Sequence, residues 1–145
     1  MSKLIINLAL FVFLIFFQTN SFGKENFYEK ALNLFKKEKY NEARFLFERN
    51  IVYNPKDANS YLYLAKIYNH EENQRKEEFN LETTLLIDPK NEEALLMLMK
   101  IALKKSNYNR VNELSETFAK VCINMCNENK EIQESLKNIE PENVS

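Results

Sequence analysis

Two cysteines, Cys122 and Cys126, carry the most distinctive chemistry in this sequence, and they lie four positions apart in the stretch KVCINMCNENK. Two thiols at this spacing could form a redox couple, supply two soft ligands to a metal such as copper, or join in a structural disulfide. The choice depends on the compartment in which the protein works and on the elements that carry the pair.

The other reactive side chains do not form a known catalytic motif. His70 is the single histidine, so a histidine-based metal cluster would lack a second imidazole, and we interpret His70 as solvent-facing. Adjacent residues on a helix do not share a face, so three acidic doublets are interpreted as solvated: Glu71 with Glu72, Glu77 with Glu78, and Glu92 with Glu93. The sequence has no glycine-rich phosphate loop and no nucleophile elbow. We predict a protein that is not an enzyme and that needs no metal and no cofactor.

Composition favours one soluble domain made of helices. The chain has 145 residues, of which 45% are hydrophobic and 28% are charged, and it contains one glycine and three prolines. A sheet of short strands would need many more turn-forming residues. The formal net charge of -1 offers no basic surface for a phosphate backbone, so nucleic acid is excluded as a partner.

The N-terminus has the three-part order of a secretory signal peptide. Lys3 precedes an apolar stretch, residues 4–17, and small residues at Ser21 and Gly23 precede a predicted cleavage site ahead of Lys24. As a helix that apolar stretch would measure about 21 Å, which is short for a hydrocarbon core of about 30 Å. We therefore predict a signal peptide over residues 1–23 and a periplasmic or secreted protein. The alternative is an uncleaved membrane anchor, in which case the membrane is also a partner.

Two independent markers recur along the chain with one period. Pro55 and Pro89 differ by 34 positions, and Tyr40 and Tyr108, in KYNEA and NYNRV, differ by 68. With this period the chain resembles the tetratricopeptide-repeat (TPR) family, whose 34-residue pattern is W-x2-L-G-x2-Y, then A-x3-F, then P. The residues that match it are Tyr61, Leu64, Ala65 and Tyr68 in the second unit and Ala43, Phe47 and Pro55 in the first. Glu77 stands where the pattern has alanine.

The resemblance implies an all-α fold, a right-handed α-solenoid of three helix pairs in an exported, bacterial-type repeat protein. The TPR domain would cover residues 24–139, with units at about 24–57, 58–91 and 92–125. We predict helices near 25–38, 41–53, 58–71, 75–87, 92–105 and 108–124. A capping helix over 128–139 would place Ile132 and Leu136 on the last unit, and residues 140–145 are predicted to form a disordered tail.

In repeats of this family the first helix of each unit lines a concave groove. The resemblance places eleven residues there: Tyr28, Leu32, Phe35, Leu62, Lys66, Asn69, His70, Leu96, Lys100, Leu103 and Lys104. Apolar side chains beside lysines suit a peptide with hydrophobic and acidic side chains. The alternative is that the apolar members belong to the core and the lysines only solubilise the surface. The lysine and asparagine clamp with which some members bind a C-terminal carboxylate is absent from its slots, which hold Tyr28, Leu32, Tyr63, Glu93 and Met97.

In the repeat register, Cys122 falls near the end of the last unit's second helix and Cys126 at the start of the capping helix. Residues four apart on a helix lie within disulfide range, and we predict a structural disulfide that holds the cap. Free thiols packed in the turn, or a metal or redox role that includes Met125, remain alternatives.

The function predicted from the sequence is a non-catalytic scaffold or assembly factor that is exported and binds a protein or peptide in the groove. A thiol redox or copper-handling protein that uses Cys122 and Cys126 is one alternative. A membrane-anchored assembly subunit that keeps its N-terminal helix is the other.

Overall fold

The computed structural model describes residues 26–139, and these contain seven helices and no strand. The helices are α1 (Phe27–Lys36), α2 (Tyr40–Tyr53), α3 (Ala58–His70), α4 (Gln74–Ile87), α5 (Glu92–Lys104), α6 (Tyr108–Val121) and α7 (Cys126–Ile139). The all-α prediction is confirmed, and every predicted helix end lies within three residues of the observed end. The predicted signal peptide, residues 1–23, and the predicted tail, residues 140–145, lie outside the described residues. Among the described helices, none has the length and apolar character needed to span a bilayer.

The first six helices form three pairs that stack one on the next. α1 packs with α2, α3 with α4, and α5 with α6. Contacts between α2 and α3 and between α4 and α5 join each pair to its neighbour, and α7 packs on both α5 and α6. Packing between neighbours along the chain defines an α-solenoid, so the predicted architecture of three pairs and a cap is confirmed.

The turn inside each pair has the same backbone geometry every 34 residues. Glu38, Glu72 and Ser106 have φ values of 58°, 56° and 54°. In the first turn the N–H of Lys39 donates to the carbonyl of Leu34 at 3.0 Å, and the other two turns repeat this bond at 2.9 Å. This is the Schellman pattern of a helix C-terminus. A residue with a Cβ atom costs roughly 1–2 kcal/mol in this left-handed conformation, so the repeat places mild strain at three equivalent sites.

Asparagines begin many of the helices. The side-chain oxygen at each of these N-caps accepts a hydrogen bond from the backbone N–H three residues later: Asn26, Asn73, Asn91 and Asn107. This satisfies an amide that has no partner within the helix.

The core divides into two clusters of buried side chains. One joins the first pair to α3 and contains Ala31, Ala43, Phe47, Leu64, Ile67 and Tyr68. The other runs from α3 through the third pair to α7 and includes Ala65, Leu81, Met99, Phe118, Ile132 and Leu136. Fully buried alanines let helices approach closely, and the large aromatic and aliphatic side chains fill the remaining space.

Two ion pairs join successive helix pairs at equivalent positions with opposite polarity. Arg44 on α2 contacts Glu71 after α3, with 2.6 Å between Nη1 and Oε1. The equivalents 34 residues later are Glu78 on α4 and Lys105 after α5, which also form an ion pair. The charges are thus exchanged between the two junctions. If the first helix pair packed directly on the third, Arg44 would face Lys105, and these like charges would oppose that arrangement.

The last helix covers the end of the stack. Ile132 and Leu136 of α7 are only 6% and 3% exposed, as predicted for a cap. The hydroxyl of Ser115 on α6 donates to Oδ1 of Asn129 on α7 at 2.7 Å. A pair of apolar side chains and a hydrogen bond therefore fix α7 on the third helix pair.

The strained turns predict a stabilising substitution. Ser106→Gly removes the Cβ atom at φ 54°, and we expect the free energy of unfolding to rise by about 1 kcal/mol or less, since the more flexible unfolded chain offsets part of the gain. Thermal unfolding followed by circular dichroism measures the change. Glu116→Gly, at an exposed position within α6, is the control and should destabilise by roughly 1 kcal/mol. A loss of stability in Ser106→Gly would contradict the assigned turn geometry.

Candidate functional site

The residues predicted to line a groove lie on α1, α3 and α5, the first helices of the three pairs. Two of them are not on the surface. Leu62 is 5% exposed and Leu96 is 3% exposed, and both belong to the core cluster that reaches α7. They occupy equivalent positions 34 residues apart, so the repeat turns both toward the interior. Their predicted role as apolar anchors for a ligand is therefore corrected to one in the core.

The other nine predicted residues fall into two groups, to which the structure adds Tyr63, Glu77, Met97 and Ile101. The first, which we call the aromatic half, consists of residues on α1 and α3: Tyr28, Leu32, Phe35, Tyr63, Lys66 and His70. The second, the lysine half, consists of residues from α3, α4 and α5: Asn69, Glu77, Met97, Lys100, Ile101, Leu103 and Lys104.

In the aromatic half, the side chains are engaged with one another. The ring of Tyr63 lies 5.0 Å from that of Phe35, 5.3 Å from that of Phe47 and 6.3 Å from that of Tyr28, measured between centroids. Burial, followed by the proximity of Tyr63, raises the pKa of Tyr28 to about 12, so its phenol is protonated at neutral pH. These rings tie the first helix pair to the second and leave only part of their surface open.

The two polar members of the aromatic half also have partners. Nζ of Lys66 lies 4.6 Å above the ring of Tyr63 and 2.8 Å from the carboxylate of Glu93 on α5. His70 is exposed, as predicted, and its ring packs at a tilt of 46° against that of Tyr40 with centroids 4.4 Å apart. This half therefore serves mainly to join helix pairs.

The lysine half surrounds an open cavity. Its seven residues line a volume of about 420 Å³, and a neighbouring cavity of about 270 Å³ extends toward Glu72 and Gln74. Both cavities share Asn69, Glu77 and Lys104, so they form one continuous groove between the second and third helix pairs. Apolar side chains form part of its wall and amide, carboxylate and ammonium groups stand beside them.

Lys100 and Lys104 differ from the lysines that stabilise the fold. Both are exposed and lie one turn apart on α5. Lys66 and Lys105 each contact a carboxylate, whereas no carboxylate among the described residues lies within salt-bridge distance of Lys100 or Lys104. The groove therefore presents two positive charges that the fold does not use for ion pairs.

Comparison with solved structures identifies the fold. The type III secretion chaperone SycD of Yersinia enterocolitica, in complex with a peptide of the translocator YopD, is 15% identical with a TM-score of 0.71, covering 88% of this chain and 99% of that one. The Sgt2 TPR domain of Aspergillus fumigatus is 14% identical with a TM-score of 0.65, covering 79% and 80%. The first TPR of Spaghetti, bound to an HSP90 peptide, is 16% identical with a TM-score of 0.64, covering 77% and 90%. This chain has the tetratricopeptide-repeat fold. No family model and no curated protein matches its sequence.

Glu77 is the clearest departure from the TPR pattern in the groove. It occupies a slot for a small residue and is 5% exposed, so the prediction of a solvated Glu77 is wrong, while Glu78 beside it pairs with Lys105. The Nδ2 amide of Asn69 donates to Oε1 of Glu77 at 2.9 Å. Burial raises the pKa of the Glu77 carboxyl above its ordinary value of 4.5, against the opposing effects of the Asn69 hydrogen bond and the charge of Lys104.

Sequence reasoning missed three members of the lysine half, namely Glu77, Met97 and Ile101. For Met97 and Ile101 a signal was present, because Met97 lies three positions before Lys100 and Ile101 three positions before Lys104, so each shares a helix face with one of the lysines. Glu77 was recognisable only as an exception to the pattern. Its side chain reaches the groove because the small-residue slot faces the space between α3 and α4.

The cysteine pair lies away from this groove. The structure joins Cys122, the C-cap of α6, to Cys126, the first residue of α7, with 5.4 Å between their Cα atoms. Among the described residues, no three histidine, cysteine, aspartate or glutamate side chains lie close enough together to hold a metal ion.

The buried carboxylate predicts a specific dependence of stability on pH. Because the pKa of Glu77 is raised in the folded state, its contribution is favourable below pH 4.5 and is lost as pH rises through the raised pKa. We expect Glu77→Gln to raise the melting temperature at pH 7 relative to the unsubstituted protein, with the difference disappearing near pH 4. Thermal melts across this range measure it.

Glu82→Gln is the control, since Glu82 is exposed on the same helix and should give a nearly constant difference across pH. A Glu77→Gln difference that grows toward acid pH would contradict the assigned direction of the shift.

Proposed function

We propose that this chain is a non-catalytic protein-interaction module, a scaffold or assembly factor, that binds a peptide or protein segment in the groove between its second and third helix pairs. The observation that carries the proposal is the lysine half, where Lys100 and Lys104 lie beside Met97 and Leu103 on one cavity of about 420 Å³. Neither lysine forms a salt bridge with a described residue, although the charge of Lys104 acts on Glu77, and partly exposed apolar side chains that a ligand could cover lie beside both lysines.

The chemistry of the groove favours a ligand with both acidic and apolar side chains. A ligand carboxylate would meet two ammonium groups one helical turn apart, while an apolar side chain would cover Met97 and Leu103. Asn69 adds an amide that also hydrogen-bonds to Glu77. An extended or helical peptide supplies such side chains at the required spacing.

The solved structures with this fold support the same kind of partner. SycD is in complex with a translocator peptide, and the Spaghetti domain is bound to an HSP90 peptide. At 15% and 16% identity these relatives share the fold with this chain, so its own ligand is inferred from the groove residues.

Export is the second part of the proposal, and it depends on the sequence of residues 1–23. Lys24 is expected as the first residue of a periplasmic or secreted protein. Intact-mass measurement of the protein from the cells that make it tests this. A chain that retains residue 1 and extracts only with detergent would instead favour the membrane-anchored alternative.

Reversal of the two groove charges should weaken partner binding. We expect the double substitution Lys100→Glu with Lys104→Glu to lower the affinity for a captured partner roughly tenfold or more, because like charges then face its acidic side chains. Both lysines are exposed, so the fold should be retained, with a small loss of melting temperature because the charge of Lys104 acts on the buried Glu77 carboxyl. The partner is captured from the protein's own cellular extract, identified by mass spectrometry, and titrated as a purified protein.

The matched control is Lys56→Glu with Lys90→Glu, which reverses two exposed charges in the loops after the first and second pairs. Its affinity should match that of the unsubstituted protein. Equal losses in the two double variants would mean that net charge alone controls binding, and full binding by the groove variant would place the site elsewhere.

A further inference from the structure

The disulfide closes a short loop and links the end of α6 only to the first residue of α7. Cys122 and Cys126 are four residues apart, and the intervening residues 123–125 join α6 to α7. Cys122 has extended backbone angles and its N–H donates to the carbonyl of Phe118 at 2.8 Å, which ends α6. The bond therefore shapes the loop, and its effect on α7 depends also on what the loop contacts.

The loop contacts a carboxylate from a distant part of the sequence. Glu92, the first residue of α5, accepts hydrogen bonds from the backbone N–H of Met125 at 2.8 Å and of Asn124 at 3.1 Å. The residues are 33 and 32 positions apart in sequence. These amides immediately precede α7, where no helical carbonyl is available to them. Glu92 thus caps the start of α7 from another helix, and its negative charge lies at the positive end of the α7 dipole.

Electrostatics are consistent with this geometry. The backbone donors, the Met125 amide first, hold the pKa of Glu92 below its ordinary value, so the carboxylate is ionised at neutral pH. Glu93, the next residue, has a different role, because it pairs with Lys66 across the groove. Of the two acids at the start of α5, only Glu92 is bonded to the loop.

We propose that the Cys122–Cys126 disulfide and Glu92 form a single redox-sensitive latch that holds α7 on the third helix pair. The disulfide confines residues 123–125 to a conformation in which the amides of Asn124 and Met125 point to one carboxylate. Without the bond these residues gain backbone freedom. The two hydrogen bonds to Glu92 then cost more conformational entropy to form, and their net contribution to stability is smaller.

The latch is opened by a dithiol reductant. One thiolate of the reductant attacks a sulfur of the disulfide and forms a mixed disulfide, and its second thiol then displaces the protein sulfur. The protein gains two electrons and two protons and is left with two thiols, while the dithiol becomes a disulfide. Loss of the latch would leave α7 held mainly by Ile132, Leu136 and the Ser115–Asn129 hydrogen bond, and would favour exposure of the apolar side chains of α5 and α6.

Hydrogen exchange of the full-length chain, purified in mild detergent, tests the latch. We expect slow amide exchange in α7 of the oxidised protein and roughly tenfold faster exchange after treatment with dithiothreitol, with α1–α4 unchanged. In the oxidised protein, Glu92→Gln should accelerate exchange at Asn124, Met125 and α7 to a similar extent, although the disulfide stays intact. In the reduced protein, the same substitution should add less than about twofold, since the latch is already open.

Glu93→Gln is the matched control, because it removes a neighbouring charge from the same helix start without touching the loop, and its α7 exchange should equal that of the unsubstituted protein. Alkylation followed by mass measurement reports the thiols in each sample. The proposal is overturned if both thiols are free before reduction, or if α7 exchange is unchanged by dithiothreitol. It is also overturned if Glu92→Gln has the same effect in both redox states.

Discussion

Each of the three helix pairs within residues 26–139 has an apolar face that the next element covers. α2 contacts α3, α4 contacts α5, and the third pair is covered by α7. Burial of apolar surface is the main favourable term in folding, so each pair is stable largely because its neighbour is present. The cap is therefore as important as a repeat, since without Ile132 and Leu136 the core cluster that begins at Leu62 would end at solvent.

Polar contacts specify which helix pair packs on which, since apolar packing is non-directional. The exchanged charges of Arg44–Glu71 and Glu78–Lys105 distinguish one junction from the next. Lys66–Glu93 joins the second pair to the third at the groove, and Glu92 bonds to the loop before α7. Lys100 and Lys104 stand apart from this network of ion pairs, which is why they and the cavity beside them are the strongest candidates for contact with a partner.

The helices were predictable from sequence because their signals are local. The prolines and the alanines are visible within one unit, the 34-residue period emerges when units are compared, and Ile132 and Leu136 follow from that period. The groove was less predictable. Leu62 and Leu96 lie on the helices that line the groove, but both side chains are buried in the core, and this depends on packing with other helices that the local sequence does not show. Glu77 was interpreted as solvated because a glutamate in a small-residue slot gives no indication of where its side chain turns. Asn69 lies eight positions from Glu77, but the partners of Glu71, Glu78, Glu92 and Glu93 lie 27 or more residues away, beyond the reach of any local pattern.

The central claim is that a partner binds in the lysine half and not on the outer face of the second helices, where Phe79 and Leu86 are 65% and 84% exposed. Photo-cross-linking in cells that make the protein tests it most directly. A benzophenone amino acid is placed at Met97 in one variant and at Leu86 in another. A protein cross-linked from Met97 and not from Leu86 is the predicted result. Cross-linking from Leu86 alone would contradict the account and would place the interaction surface on the opposite side of the solenoid.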